Sequence, residues 1–532
     1  MNGFTPDWMR DLGRRLARMS DLGLSRVPDA PAHPARDPWQ GDVARGAALM
    51  KGELAAGGGA ILLRPGDFDA LKGPEALRAL AHGFTWLRDL RALGTDGARM
   101  RARALVSEWI AVGQRGLASR PDVAGARIAA WLGHYDFFAA SADDAFRQKL
   151  MARLVADAKG LASDLPAETL DARALTAVKG LVAAAVALPD HPAFLTRALK
   201  VLPQEIGRQI LPDGMHCERS PAQHMAALQD LTEIRAWLQA AQAVPPAALQ
   251  LAIERMSPVL RMFRHGDGGL AQFNGTKEDN AVLVEQVLAQ AGRAGRVPAG
   301  LPDGGFQRLQ AGRSLLLIDC GAPAAHKLDR FAHAGTLSFE LSIGRERMIV
   351  NCGSHPSAGD DWRDACRATA AHSTLVISDT NSSEVKPEGL GRRPETVEVS
   401  RQDSQQGAFW LDASHDGYYR PFGAIHRRRL YMSESGEDVR GEDAVEAAND
   451  QSFTVRFHLH PSVVVSPLQD GEAVMLRLPS GAGWRLRVDG ARIGIEESIY
   501  LGGSVPRGSQ QVVLTGFADG PQVIKWGLTK VG

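Results

Sequence analysis

The ten residues RVPAGLPDGG (296–305) mark a change in the pattern of the sequence, and the fold prediction starts from them. Two prolines and three glycines in this stretch interrupt any regular helix or strand. Before it, apolar residues recur at helical spacing, and after it short apolar runs alternate with turn residues. The sequence therefore predicts a multidomain α plus β fold in which the helical part comes first.

The helical part covers residues 46–303 and is rich in alanine and leucine, as in LRALAHGFTWLRDLRALG (77–94). Trp86, Trp109 and Trp131 stand 23 and 22 residues apart. This spacing indicates a repeated helix-hairpin plan, and we predict an incomplete (α/α) toroid. The tryptophans either belong to a core or offer, at Trp131, a flat surface on which a sugar ring stacks.

The β part covers residues 304–532, where β-branched and aromatic residues increase and Gly, Asn and Asp separate the apolar runs. That pattern is typical of antiparallel sheets, and a two-sheet sandwich of this size can bury its own core. Residues 1–45 predict a helix followed by a proline-rich linker. The clearest predicted strands are GRSLLLIDCG (312–321), TLSFELSIG (336–344), FTVRFHLHP (453–461) and QQVVLTGF (510–517).

The composition limits the classes of function. The 532 residues include 61 basic and 61 acidic side chains, so the zero net charge gives no support for binding to nucleic acid or to a membrane surface. The four cysteines form no CxxC pair, which argues against a redox motif or a cysteine-based zinc site. The N-terminus lacks an apolar core of the signal-peptide type, and no stretch resembles a membrane span. We therefore expect a cytoplasmic protein, and a periplasmic location stays open.

The densest polar cluster of the helical part is LPDGMHCERSPAQH (211–224), between two clearly predicted helices. His216, Glu218 and Arg219 would crowd one loop, with His224 at the start of the next helix. These residues are either surface charges beside a capped helix or a functional site, because loops on rigid scaffolds often carry function.

A glycine-rich loop, RHGDGGLAQFNG (264–275), follows further along the chain. It has neither the GxGxxG pattern nor the lysine of a phosphate-binding loop, so we expect no organic cofactor. It could instead present His265, Asp267 and Asn274 toward a cleft.

In the β part, His333, Asn351 and His372 lie at the ends of three predicted strands. Two imidazoles and one oxygen ligand suit zinc, although a lone histidine is more often structural. Further along, HRRR (426–429) is either a solvated strand face or a basic strip that meets an acidic sugar. HDGYYR (415–420) lies just before it.

Together these segments resemble the heparinase II/III family of polysaccharide lyases. The resemblance implies a helical toroid with a C-terminal β-sandwich, and cleavage of uronate-containing polysaccharides such as glycosaminoglycans by β-elimination. The similar pieces follow the family order across nearly the whole chain: DGMHCERSP (213–221), HAGTLSFEL (333–341), VNCG (350–353), RATAAHSTL (367–375) and HDGY (415–418).

β-Elimination requires that the uronate carboxylate be neutralised, so that a base can remove the C5 proton and an acid can protonate the leaving oxygen. The resemblance implies that His216 and Glu218 engage the carboxylate. It also implies one structural zinc ion on His333, Asn351 and His372. The substrate-binding candidates are Arg219, His224, Asn274 and Trp131.

The sequence departs from the family pattern in two ways that concern the base. Phe331 stands where the family often has a histidine. A catalytic tyrosine is expected in the later helical region, but residues 136–417 contain no tyrosine, and Phe273 stands near that place. His265 or Tyr419 is therefore the predicted base.

Two alternatives to a lyase stay open. The first is a catalytically altered relative that binds an anionic saccharide. The second is a glycoside hydrolase with Glu218 as the acid and Asp213 or Asp267 as its partner, which requires two carboxylates at a suitable separation. In each case the expected partner is an acidic polysaccharide or oligosaccharide, not nucleic acid or a membrane, and a homodimer is open.

Overall fold

The computed structural model describes residues 27–33, 35–113, 115–278, 281–292, 295–355, 360–446, 451–468 and 471–531, and the predicted N-terminal helix lies outside them. Among these residues, no helix is long and apolar enough to cross a membrane.

The described residues form two compact units. The first consists of the chain up to Arg208 together with Gln229–Leu251, and the second of Gln209–Leu228 together with the chain from Ala252. The units are therefore not divided at residue 303, where the sequence placed the boundary.

Helices form most of the first unit, which also holds a small hairpin of β1 (Glu53–Ala56) and β2 (Gly59–Leu62). The helices of the described chain are α1 (Val43–Met50), α2 (Glu75–Gly83), α3 (Leu87–Leu93), α4 (Asp96–Val112), α5 (Pro121–Gly133), α6 (Tyr135–Phe138), α7 (Asp144–Asp164), α8 (Arg173–Ala187), α9 (Pro192–Gln209), α10 (Pro221–Ala240), α11 (Ala247–Met262), α12 (Ala281–Ala291), α13 (Asp360–Arg367) and α14 (Tyr419–Phe422).

Local chemistry explains where these helices begin and how closely they pack. The Oγ1 atom of Thr95 accepts a hydrogen bond from the Ala98 N–H (3.1 Å) and so caps α4. A Cβ atom at Gly180 in α8 would overlap the backbone of Gly125 in α5. Only glycine allows the backbones of these two helices to approach so closely.

An aromatic cluster occupies the core of the first unit. Phe84 has a φ of 58°, which ends α2 and divides the helix predicted over 77–94. Its ring centroid lies 5.0 Å from Trp86 and 5.2 Å from Trp131, which in turn lies 5.4 Å from Trp109. Trp131 is completely buried. Its burial among other aromatic rings favours the core alternative, and a sugar-stacking role for Trp131 stays a prediction.

Two antiparallel sheets make up most of the second unit and enclose one apolar core. Helices followed by antiparallel sheets are the predicted architecture, which is thereby confirmed. The strands are β3 (Gly300–Leu301), β4 (Phe306–Ala311), β5 (Ser314–Asp319), β6 (Phe339–Ile343), β7 (Glu346–Val350), β8 (Leu375–Ile377), β11 (Val397–Asp403), β12 (Phe409–His415), β13 (Ile425–Met432), β14 (Asp438–Glu446), β15 (Gln451–Leu459), β16 (Val464–Pro467), β17 (Ala473–Arg477), β18 (Gly483–Asp489), β19 (Arg492–Tyr500), β20 (Arg507–Ala518) and β21 (Gln522–Val531), besides a short hairpin of β9 (Val385–Lys386) and β10 (Gly389–Leu390). One sheet has the order β11-β12-β13-β14-β21-β18-β17-β16. The other has the order β19-β20-β15-β7-β6-β5-β4-β3, and β8 also pairs with β15.

Strand β13 carries HRRR and directs its side chains alternately inward and outward. Arg428 is completely buried and donates to both carboxylate oxygens of Asp443 (2.7 and 3.0 Å). His426 Nε2 lies 2.7 Å from the same carboxylate. On the outer face, Arg429 pairs with Asp412 at 3.2 Å. The stretch is therefore half solvated face and half buried network, and not a continuous basic strip.

Candidate functional site

The loop between α9 and α10 belongs to the second unit and holds His216 in a fully buried position. Its Nδ1 accepts a hydrogen bond from the Glu218 N–H (3.3 Å). The proton therefore lies on Nε2, which is 3.1 Å from Gln209 Oε1 and donates to it. A carboxylate oxygen of Glu218 lies 3.7 Å from His216 Nδ1. The structure thus brings these two predicted residues together, with both imidazole nitrogens engaged.

His224 is completely buried at the start of α10. Its Nδ1 accepts a hydrogen bond from the His216 N–H (3.3 Å), and its Nε2–H donates to the Met256 carbonyl (2.9 Å). Burial lowers the pKa of His224 to about 4, so the ring is neutral near pH 7. Both ring nitrogens are engaged within the protein, and the substrate-binding role of His224 stays a prediction.

Arg219 ties the same loop to the sheets. Its guanidinium donates to the carbonyls of Gly304 (2.7 Å) and Ala322 (2.6 Å) and pairs with Asp319. It also lies over the Phe306 ring, 4.9 Å from its centroid. Arg219 thus has a structural role in joining the loop to the sheets, and its substrate-binding role stays a prediction.

Asn274 has a similar structural role. Its φ of 46° lies in the left-handed region that asparagine tolerates better than most residues. Its Nδ2 donates to the Arg219 carbonyl (2.8 Å), and its Oδ1 accepts from the His333 N–H (3.0 Å). Both ends of the amide are therefore hydrogen-bonded within the protein, and the substrate-binding role of Asn274 stays a prediction.

His265 is also buried and fully engaged. Its Nδ1 lies 2.8 Å from Ser342 Oγ, and its Nε2 lies 2.9 Å from Glu340 Oε2. Burial, together with the nearby charge of Arg347, lowers the pKa of His265. Asp267 is bound by Arg347 at 2.7 and 3.2 Å. Both ring nitrogens of His265 are thus hydrogen-bonded within the protein, and its role as the base stays a prediction.

The predicted metal ligands are only partly brought together. His372 Nδ1–H donates to the Ala368 carbonyl (2.8 Å), so its Nε2 accepts the hydrogen bond from His333 Nδ1–H (2.9 Å). Asn351 Oδ1 accepts from the Ser373 N–H (3.0 Å). In the described part of the chain, no group of three or more His, Cys, Asp or Glu residues could hold a metal ion. Zinc at this place stays a prediction, which metal analysis of the purified protein would test.

The catalytic tyrosine expected from the resemblance has two substitutes to consider, Phe273 near the corresponding place and Tyr419 further along the chain. Phe273 stands near the expected place, is 2% exposed and packs against Phe306, with ring centroids 5.3 Å apart. Tyr419 is 60% exposed at the start of α14. Tyr419 thus lies on the surface of the sandwich, and its role as the base stays a prediction.

Sequence analysis missed a buried cluster around Tyr500. Gln272 Nε2 donates to the Tyr500 hydroxyl (2.8 Å), which itself donates to Glu278. Burial alone would raise the pKa of Glu278, but the hydrogen bond from His460, the charge of Arg347 and the Tyr500 hydroxyl together lower it to about 2. Tyr500 lies 228 positions from Gln272 along the chain, and no sequence pattern connects them.

Comparisons with known proteins agree with this architecture. Residues 110–293 match the family model "Heparinase II/III N-terminus", and residues 293–527 match "Heparinase II/III-like, C-terminal". The chain is 32% identical to FtsZ-localized protein C of Caulobacter vibrioides (strain NA1000 / CB15N), over 96% of this chain and 92% of that protein.

Solved structures share the fold at low sequence identity. The crystal structure of heparinase III superposes with a TM-score of 0.76 at 13% identity, covering 99% of this chain and 91% of that one. Heparan sulfate lyase HepC from Pedobacter heparinus gives 0.61 at 15% identity, covering 98% and 88%. The matched family models together span most of the sequence, and the chain belongs to the heparinase II/III-like family.

Proposed function

We propose that this protein binds an acidic saccharide on a heparinase II/III scaffold and does not cleave it by β-elimination. Membership of the family and the shared fold with heparan sulfate lyases support an acidic saccharide as the ligand. The absence of cleavage rests on the contacts of this chain's own residues.

The observation that carries the proposal is that both nitrogens of His216 and both of His265 are already hydrogen-bonded within the protein. A general base must reach the proton that it removes, directly or through one water. Phe273 supplies no hydroxyl that could substitute for these histidines. A saccharide could therefore bind without finding a base at its C5 proton.

A hydrolase receives no support from the two candidate carboxylates. Asp213 accepts hydrogen bonds from the backbone N–H groups of Met215 (3.0 Å), Asp303 (2.8 Å) and Gly304 (2.7 Å). Asp267 is held by Arg347. Neither carboxylate is free to pair with Glu218 across a glycosidic bond, as the two-carboxylate mechanism requires.

Calorimetric titration tests the binding half of the proposal. Size-defined oligosaccharides of glucuronate, galacturonate and heparan sulfate would be titrated into the full-length protein, with neutral oligosaccharides of equal length as controls. We expect saturable binding to at least one acidic series and none to its neutral counterpart. Equal or absent binding throughout both series would contradict the proposal.

A second function is favoured by the Caulobacter relative. Identity of 32% over 96% of the chain supports the proposal that this protein also associates with FtsZ. Co-sedimentation with FtsZ from the same organism would test it, with unpolymerised FtsZ as the control. We expect the protein in the pellet only when FtsZ is polymerised, and an unchanged distribution would contradict the association.

A further inference from the structure

A pocket of about 540 Å³ in the second unit is lined by arginines from three segments. The segments are the end of α11 with the loop after it, the β4–β5 hairpin and the β6–β7 turn. We call this site the arginine pocket, and its five arginines are Arg261, Arg264, Arg308, Arg313 and Arg345. No aspartate or glutamate is among the described residues that line it.

Of the acidic residues close to the arginine pocket in sequence, one pairs with a pocket arginine and two are bound to residues outside the pocket. Glu285 pairs with Arg264 (2.8 Å), and Asp267 pairs with Arg347 (2.7 Å). Glu346 accepts hydrogen bonds from the Ser480 N–H (2.6 Å) and hydroxyl (2.7 Å). These carboxylates therefore leave most of the positive charge of the pocket uncompensated.

Four of the five arginines, all except Arg264, form no ion pair with a carboxylate in the described ranges of the chain. The Nε atoms of Arg261 and Arg308 are buried and, within those ranges, have no hydrogen-bond partner. Burial lowers the pKa of Arg308, with no nearby carboxylate to offset it. Buried donors without acceptors are costly, and a bound anion would satisfy them.

The walls of the pocket are fixed by close backbone contacts. A Cβ atom at Gly266 would overlap the carbonyl oxygen of Gly344, so the loop after α11 touches the β6–β7 turn directly. The Gly344 N–H donates to the Arg313 carbonyl (2.6 Å), which joins that turn to the β4–β5 hairpin. The contacts of His265 with Ser342 and Glu340 join the loop to β6. The arginines therefore project from a preformed frame.

The chemistry of the lining identifies the class of ligand. Guanidinium groups only donate hydrogen bonds, whereas sugar hydroxyls also need acceptors, which carboxylates would normally supply. The described lining contains no aromatic side chain other than the engaged His265, so neither a nucleobase nor a sugar ring finds a stacking surface. Fully ionised phosphate groups carry only acceptor oxygens. Two of these oxygens can accept hydrogen bonds from the two parallel N–H groups of one guanidinium.

We propose that the arginine pocket binds a ligand carrying several linked phosphate groups. This site is separate from the His216 cluster, and the proposal does not depend on saccharide binding. Several phosphates, and not one, are expected because the four arginines without an ion pair among the described residues come from three segments and can meet different groups.

Isothermal titration with tripolyphosphate at low ionic strength tests the proposal. The test variant is Arg313→Gln/Arg345→Gln, since both side chains are exposed and their loss leaves the core intact. The matched control is Arg477→Gln/Arg492→Gln, which removes two exposed charges of the same unit outside the pocket. We expect one tripolyphosphate per chain, binding at least about tenfold more weakly in the test variant and within about twofold in the control.

Two further ligands separate this proposal from its competitors. Orthophosphate should bind more weakly than tripolyphosphate, because it can engage fewer guanidinium groups. No binding of tripolyphosphate, or equal affinity in the test and control variants, would overturn the proposal. A heparin oligosaccharide that binds more tightly than tripolyphosphate and loses affinity in Arg313→Gln/Arg345→Gln would also overturn it, in favour of a sulfated glycan.

Discussion

At the scale of single residues, Arg219 couples the loop that carries His216 to the sheets through its pair with Asp319. Burial raises the pKa of Asp319, and the arginine opposes that effect. We expect Arg219→Met to lower the free energy of unfolding by about 3–5 kcal/mol, because it leaves a buried carboxylate unpaired. Urea denaturation would measure this.

The double variant Arg219→Met/Asp319→Asn is the control for that prediction. It removes the buried charge together with its partner, so it should recover part of the lost stability. If Arg219→Met lowers the free energy of unfolding by less than about 1 kcal/mol, the Arg219–Asp319 pair does not hold the loop. An exposed ion pair, which contributes little to stability, would give a loss of that size.

His224 makes stability depend on pH. Its folded-state pKa of about 4 lies below the ordinary value of 6.5, so protons bind the unfolded chain more strongly. Its contribution is complete above pH 6.5 and is lost as the pH falls toward 4. Between pH 7 and pH 5 the loss should be roughly 2 kcal/mol. Denaturation of wild type and His224→Gln at both pH values tests this, and an equal pH dependence in both proteins would contradict it.

The sequence predicts which polar residues lie close together better than it predicts the role of each residue. His216 and His224 were expected in one loop and helix start, and the structure joins them by a hydrogen bond. The partners that give each residue its role lie far away in sequence, as Asp319 does from Arg219 and Glu340 from His265. Local pattern carries no information about such contacts, so the sequence could group these residues but could not show which buried hydrogen bonds each of them makes.

At the scale of elements, β13 illustrates why a charged run need not be a surface. Arg428 and Arg429 are neighbours, yet one is enclosed by the two sheets and the other is half-exposed. Lysine cannot reproduce the fork that Arg428 directs at Asp443, so Arg428→Lys should cost about 2–4 kcal/mol of unfolding free energy. Arg429→Lys is the matched control and should change it by less than about 0.5 kcal/mol. Equal effects in urea denaturation would show that the alternation of this strand is misassigned.

Strands were predictable in proportion to how apolar they are. The runs around β5, β6, β15 and β20 were expected from sequence and are present. Strands β11, β14 and β19 were not, because one of their faces is solvated and rich in charge. Their places in the sheets come from pairing with distant strands, such as β14 with β21.

At the scale of the whole molecule, zero net charge conceals local concentrations of charge. The arginine pocket draws its residues from positions 261–345, which the topology of β4–β7 brings together. Composition averages over such clusters, so the zero net charge argued against nucleic acid and membrane surfaces only for the protein as a whole, and an acidic saccharide stayed the expected partner.

We propose that a heparinase II/III scaffold has kept its fold while both ring nitrogens of His216 and of His265 are engaged in hydrogen bonds within the protein. The most direct test is incubation of the purified protein with a panel of uronate polysaccharides, following the ultraviolet absorbance of the unsaturated product. Heparinase III would be the positive control and His216→Ala the matched variant. We predict that the absorbance rises no faster with the wild-type protein or the variant than without enzyme. A rise with wild type that His216→Ala abolishes would contradict it and establish a lyase.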